Sequence, residues 1–165
     1  MTEEEFREKV LPLRHLMYGL ALRMGMDSDD AADAVQETQI RLWHRRSGIP
    51  KPQAEIRLYC MASMRNECLT RIRLRHESVS LDTIEHSDSQ ADHCDMVEFA
   101  DMKSNIEGLL SRLPAAQRQA VRLSAFAELD TREIANAMGQ TENNVRQLLS
   151  RGRKRLREMM EANCQ

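Results

Sequence analysis

The chain has 165 residues and a formal net charge of -2, which allows one domain or two small ones and excludes a uniformly basic nucleic-acid binder. With 41% hydrophobic but only 4% aromatic residues, and just four prolines and six glycines as punctuation, the composition suits a helical fold and not an all-β one. No apolar run approaches the roughly 18 residues that a bilayer span needs, and four cysteines without a CxxC pair argue against a disulfide framework or a zinc knuckle.

The N-terminal stretch MTEEEFREKV is acidic and lacks the basic-then-apolar order of a secretory signal, so the cytoplasm is the expected location. Apolar spacing predicts a first helix from about Glu3 to Met24, closed by Gly25. Asp27, Asp29 and Asp30 then suit the positive N-terminal end of a second helix, DDAADAVQETQIRLWHRR. On that helix Ala31, Val35, Thr38 and Leu42 form a narrow core face, and Asp33, Gln36, Glu37, Ile40 and Arg41 lie opposite. An isoleucine among carboxylates on an outward face points to a protein-docking surface; a lone exposed isoleucine on a solvated face is the bland alternative.

SGIPKPQAE reads as a loop, because two prolines block helix continuation. The helix IRLYCMASMRNECLTRIRLR follows, with Leu58, Met61, Ala62, Cys68, Leu69 and Ile72 as its expected buried stripe. Tyr59, Ser63, Asn66, Thr70 and Arg73 share one flank. An aromatic ring with amide, hydroxyl and cationic groups can stack on unpaired bases and hydrogen-bond to them. Arg65 lies in line with the apolar stripe, where pairing with a carboxylate of another helix and a nucleic-acid contact are both open.

Charge is unevenly spread. Residues 57–76 carry five basic and one acidic side chain, residues 77–107 one and nine, and residues 108–165 ten and six. The acidic segment is rich in Ser and Asp and poor in periodic apolar residues, which predicts a flexible linker over 77–101 between a module at 1–76 and a second at 102–165. Three further helices are readable: Met102 to Leu113, Pro114 to about Glu128, and one beginning at Thr131 as N-cap and carrying Ile134, Ala135 and Met138. Gly139 then permits a left-handed stop, and Thr141 caps a last helix that continues to the C-terminal region. Its face with Val145, Leu148, Leu149, Gly152, Leu156 and Met159 is expected to be buried, leaving Asn143, Arg146, Gln147, Ser150 and Lys154 outward, with Arg151, Arg153, Arg155 and Arg157 beside them. Arg, Gln and Asn make bidentate contacts to base edges in the major groove, and flanking arginines can reach phosphates. Turn, caps and sorted faces coincide as in a helix–turn–helix; a solvated charged helix is the alternative.

Three stretches resemble the bacterial sigma factors of the sigma-70 family. DSDDAADAVQETQIRLW resembles their Asp-x-x-Gln-Glu helix, SMRNECLTRIR their promoter −10 helix, and TREIANAMGQTENNVRQLLSRGRKRLRE their −35-reading helix–turn–helix. The two-module layout resembles the extracytoplasmic-function group, over roughly Glu3 to Glu161. The resemblance implies an all-α protein of two small helical domains joined by an acidic linker, acting as a dissociable specificity subunit of RNA polymerase. It implies that Asp33, Gln36, Glu37, Ile40 and Arg41 dock on the clamp helices of the polymerase core, that Asn66 stands near a flipped −10 base, and that Arg146, Gln147, Ser150 and Arg151 read the −35 element. The linker matches the segment that threads toward the polymerase active-site channel. Promoter DNA, the core and an anti-sigma factor are the implied partners, without insertion into a membrane. Leu58-Tyr59 replaces the family's usual Trp-Leu pair, Leu129-Asp130-Thr131 stands where a Tyr often precedes the helix–turn–helix, and the loop SGIPKPQAE is short and has no aromatic residue; these departures leave the promoter sequence open.

No catalytic residue, cofactor or metal is expected. There is no phosphate loop or nucleophile constellation, His15, His44 and His76 are scattered, and His93-Cys94 with His86 is a faint metal candidate only. A stand-alone helix–turn–helix regulator, binding duplex as a dimer on a palindrome, is the principal rival.

Overall fold

The chain begins with a capping box. Thr2 Oγ1 accepts from the Glu5 amide at 3.2 Å while the Glu5 carboxylate accepts from the Thr2 amide at 2.8 Å, and helix α1 (Glu3–Lys9) starts there. In the computed structural model the backbone is described for residues 1–79 and 100–163, and side chains for residues 1–78 and 106–163. It divides into two units, Met1–Ala91 and Asp92–Gln165. Every regular element among the described residues is helical.

In the first unit, the single helix expected from Glu3 to Met24 is two. A 3-10 turn at Leu11–Leu13 separates α1 from α2 (Arg14–Arg23), because Pro12 lacks the N–H that an unbroken helix needs. Asp27 caps α3 (Ser28–His44), its carboxylate accepting from the Asp30 amide at 2.8 Å. A 3-10 turn at Arg46–Gly48 and the proline loop lead into α4 (Gln53–Val79). Helices α2, α3 and α4 pack on one another around Met17, Ala21, Met24, Ala31, Ala34, Ile56, Cys60 and Met64, all fully buried. Trp43 is fixed at the end of α3 by the edge of Phe6 at 5.1 Å and by the Arg46 guanidinium 4.3 Å above its ring.

The buried face of α4 differs from expectation. Leu58 is 71% exposed and Ala62 exposed, and the buried line is Ile56, Cys60, Met64, Cys68 and Ile72. Steps of four residues overshoot a 3.6-residue turn by about 40° each. The line therefore winds around α4, as suits a helix packed against both α2 and α3. A fixed-face wheel misplaces such a helix. Of the expected linker, residues 77–79 are the end of α4 and 100–101 the start of the next helix; 80–99 lie outside the described residues.

The second unit holds α5 (Ala100–Ser111), α6 (Ala115–Phe126), α7 (Thr131–Met138) and α8 (Glu142–Asn163). Asp130, not Thr131, caps α7. Its carboxylate accepts from the Glu133 amide at 2.8 Å and the Glu133 carboxylate accepts from the Asp130 amide at 2.9 Å. The acid three residues after Asp130 selects that register. Gly139 closes α7 in the left-handed region, φ 61°, and Thr141 Oγ1 accepts from the Asn144 amide at 3.2 Å ahead of the last helix. Leu110, Leu123, Ile134, Ala137, Met138, Val145 and Leu149 form the core. Helices α6 and α8 approach closely at Gly152, where a Cβ would lie 2.9 Å from Val121 Cγ2. Arg153 also ties them, donating to Ser124 Oγ at 2.9 Å, while Arg122 of α6 pairs with Glu107 of α5 at 2.5 Å.

Candidate functional site

Three surfaces carry the candidate residues. On α3, the buried Ala31, Ala34, Val35, Thr38 and Leu42 turn Asp33, Gln36, Glu37 and Ile40 to solvent, with Ile40 47% exposed. Arg41 stands at the edge of this face. Its Nη2 donates to Glu67 Oε2 on α4 at 2.7 Å, so its guanidinium is drawn toward α4.

On α4, Tyr59, Ser63, Asn66, Thr70 and Arg73 lie within an arc of about 80°. Asn66, Thr70 and Arg73 are exposed, and the Thr70 hydroxyl donates back to the Asn66 carbonyl at 3.0 Å. Tyr59 and Ser63 are half-buried; with Thr38, Arg41, Leu42 and Arg45 they line a crevice of about 20 Å³. That volume admits a water or the tip of a polar group and is too small for a base.

On α8, Val145, Leu149 and Gly152 are buried and Leu148, Leu156 and Met159 half-buried, as the wheel predicts. Asn143, Arg146, Gln147, Ser150, Arg151 and Lys154 are all exposed. Arg146 pairs with Glu142 at 3.2 Å and Lys154 with Glu158 at 3.9 Å. Exposed pairs one helical turn apart are worth only a few tenths of a kcal/mol, about 0.3–0.5. Both cations remain available to a nucleic acid. Arg153 is engaged by Ser124, and Arg155 borders an open groove of about 350 Å³ with Arg112, Glu158, Met159, Ala162 and Asn163.

Sequence reasoning missed Glu67. It is 7% exposed, accepts from Arg41 on one oxygen and from Arg71 Nε on the other, each at 2.7 Å. Burial pushes its carboxyl up, but the hydrogen bonds from Arg71 and then Arg41 outweigh that and hold it below the ordinary carboxylate range. The signal was present: an acid one turn after Met64 and directly before Cys68 of the buried line, with an arginine four residues on.

Cys60 and Cys68 are buried, and desolvation raises their thiols to about 11 and about 12, which disfavours the reactive thiolate at both. Among the described residues no group of three His, Cys, Asp or Glu side chains can hold a metal ion. His86, His93 and Cys94 lie outside the described residues, as do residues 80–99 of the segment expected to thread a polymerase channel. No helix among the described residues is long and apolar enough to cross a membrane.

Two models of one family match, and together they cover more than half of the chain: Sigma-70 region 2 over residues 10–77 and Sigma-70, region 4 over residues 103–156. Among solved structures, the sigma factor RpoE in its co-crystal with the anti-sigma factor NepR from Bartonella quintana is similar. The two are 22% identical with a TM-score of 0.59, over 96% of this chain and 98% of that one. At that identity the likeness is one of fold. No curated protein matches the chain.

Proposed function

The chain belongs to the sigma-70 family, as an RNA polymerase sigma factor of the extracytoplasmic-function group, and from that premise we propose which of its residues dock, open and read. The polymerase core supplies catalysis; this chain supplies address and strand opening, acts in the cytoplasm and performs no chemistry of its own. Residues 1–76 dock and capture the −10 element, 77–101 tether, and 102–165 read the −35 element.

Asp33, Gln36, Glu37 and Ile40 on α3 are the docking face: two carboxylates steer it to a basic surface and the exposed isoleucine contributes apolar contact. The α4 flank of Tyr59, Ser63, Asn66, Thr70 and Arg73 takes unstacked non-template bases. Opening costs on the order of 1.4 kcal/mol per base-pair step, and stacked captured bases return about 1–3 kcal/mol each. The row Asn143, Arg146, Gln147, Ser150, Arg151 and Lys154 on α8 enters the major groove, phosphate contacts setting register and base edges setting sequence. Each contact set is weak alone. Docking holds both near the promoter, so their affinities combine through effective concentration. An anti-sigma protein is a further proposed partner; the similar solved sigma factor is bound to one.

The observation that carries this reading is the sorted α8, with Val145, Leu149 and Gly152 buried behind an unbroken row of exposed base-reading side chains. Its test is reconstitution with purified bacterial core polymerase on genomic DNA, followed by sequencing of transcript 5′ ends. Start sites that appear only when the protein is added, and that share a −35 and a −10 element, are expected. Tight duplex binding by the protein alone, with no change in start sites, would instead identify a stand-alone helix–turn–helix regulator.

A further inference from the structure

The seam between α3 and α4 is polar over much of its length. Asp30 near the start of α3 pairs with Arg75 near the end of α4. The Thr38 hydroxyl donates to Met64 Sδ at 3.4 Å. Arg41 reaches Glu67, whose second oxygen takes Arg71 of its own helix; Asp30 and Asp33 act electrostatically on Arg71 as well. The buried carboxylate therefore has one oxygen for each helix.

We propose that Glu67 is a positioning residue, which locks the base-capturing helix α4 to the docking helix α3 and recruits Arg41 to that lock and away from the docking face. The inference rests on the sigma-factor reading above and assigns a role that reading leaves unfilled. Apolar contact is non-directional, so packing alone specifies the register of two helices less sharply than packing with a directional bond across the seam. Arg71 orients the Glu67 carboxylate from its own helix, and the single charge-assisted bond from Arg41, also at 2.7 Å, then ties α4 to α3 with a set distance and direction. Asn66 directly precedes Glu67 and Thr70 lies one turn after it on α4, and both are exposed on the capture flank. A small rotation of α4 against α3 displaces them relative to a core that holds α3.

Raw stability is a poor explanation for the cluster. The Arg41 and Arg71 side chains remain 41% and 29% exposed, so both can return to water when the acid is removed. Buried ion pairs of this kind often add little net stability over a well-packed apolar replacement, and fixing one arrangement among several is their better-attested use.

The test separates docking from opening. Core affinity of the full chain is measured by titration for wild type, Glu67→Gln, Arg41→Gln and the double variant. Opening is followed at saturating core on a linear template carrying the most-used start site from the reconstitution, with 2-aminopurine in its −10 element. Both single variants should bind core within about twofold of wild type but open about tenfold more slowly, the lower end of what one charge-assisted hydrogen bond is worth. The double variant should be no slower than the worse single one, since both remove the same lock. Equal losses of core affinity and opening, or additive losses in the double variant, overturn the proposal. Should Glu67→Gln fail to fold, Glu67→Leu combined with Arg41→Gln fills the space without stranding the α3 cation and carries the same comparison. Wild type that binds core and opens no template removes the reading beneath the inference; wild type that opens while the variants match it removes the inference alone.

Discussion

Helices α4 and α8 are both long, basic and assigned to nucleic acid, yet they are built differently. Helix α8 packs through one fixed face, Val145, Leu149 and Gly152, and shows solvent a continuous row of polar and basic side chains. The buried line of helix α4 winds around it as it packs on α2 and α3, and a buried carboxylate, Glu67, lies beside that line. A reading helix that enters a groove as a rigid rod needs only a stable back. A capture helix must stand at a set angle to the surface that docks, and its back carries directional bonds as well as apolar ones.

Substitutions on α4 put the winding line to the test most severely. Met64→Ala removes a fully buried side chain and should cost about 2–5 kcal/mol in the thermal unfolding of the first unit. Leu58→Ala, at a position 71% exposed, should lie within about 0.5 kcal/mol of wild type. The reverse order would restore the fixed-face wheel. On α8, Gly152→Val drives a branched side chain toward Val121, itself stiff at χ1, across a gap that already leaves a Cβ only 2.9 Å away. Overpacking of about 1–3 kcal/mol is expected, read as a lowered unfolding midpoint for the second unit alone.

Arg146→Ala tests the row itself. It should weaken holoenzyme binding by about 1–3 kcal/mol on the matched −35 sequence and much less on a substituted one. A uniform loss across sequences would recast Arg146 as a phosphate contact. Glu128, between α6 and α7, holds a left-handed φ of 54° that costs a non-glycine residue about 1 kcal/mol or more. Glu128→Gly should raise the second unit's midpoint slightly, part of the relief being cancelled by a freer unfolded chain.

The smallest effect concerns pH. The folded Glu67 carboxyl is held below its ordinary value of 4.5, so its contribution is complete above that value and is lost as pH falls through the folded one. Wild type should keep a small stability advantage over Glu67→Gln near neutrality and lose it in acid, as thermal melts at a series of pH values would read.

These contrasts also explain what was legible. The α3 and α8 faces, the acidic start of α3, the Thr141 cap and the Gly139 stop were readable because each depends on local chemistry or on one packing face. Thr131 and Asp130 are both good caps, and only the reciprocal bond from Glu133 separates them. Pro12 announced a break within a periodic pattern that ran through it. The α4 stripe was misread because its buried residues recur every four positions and drift around the helix, where a wheel assumes one fixed face. The pairing of Glu67 with Arg41 was not legible, because the two are 26 residues apart on helices whose crossing no periodicity reveals.

The central claim is that this chain recognises a promoter only when docked on polymerase. Fluorescence anisotropy of a labelled promoter duplex, titrated with the chain alone, with core alone and with both, tests it directly. The account predicts no saturable, sequence-selective rise with either component alone and a salt-sensitive, selective rise with both together. Equal selectivity from the chain without core would contradict it.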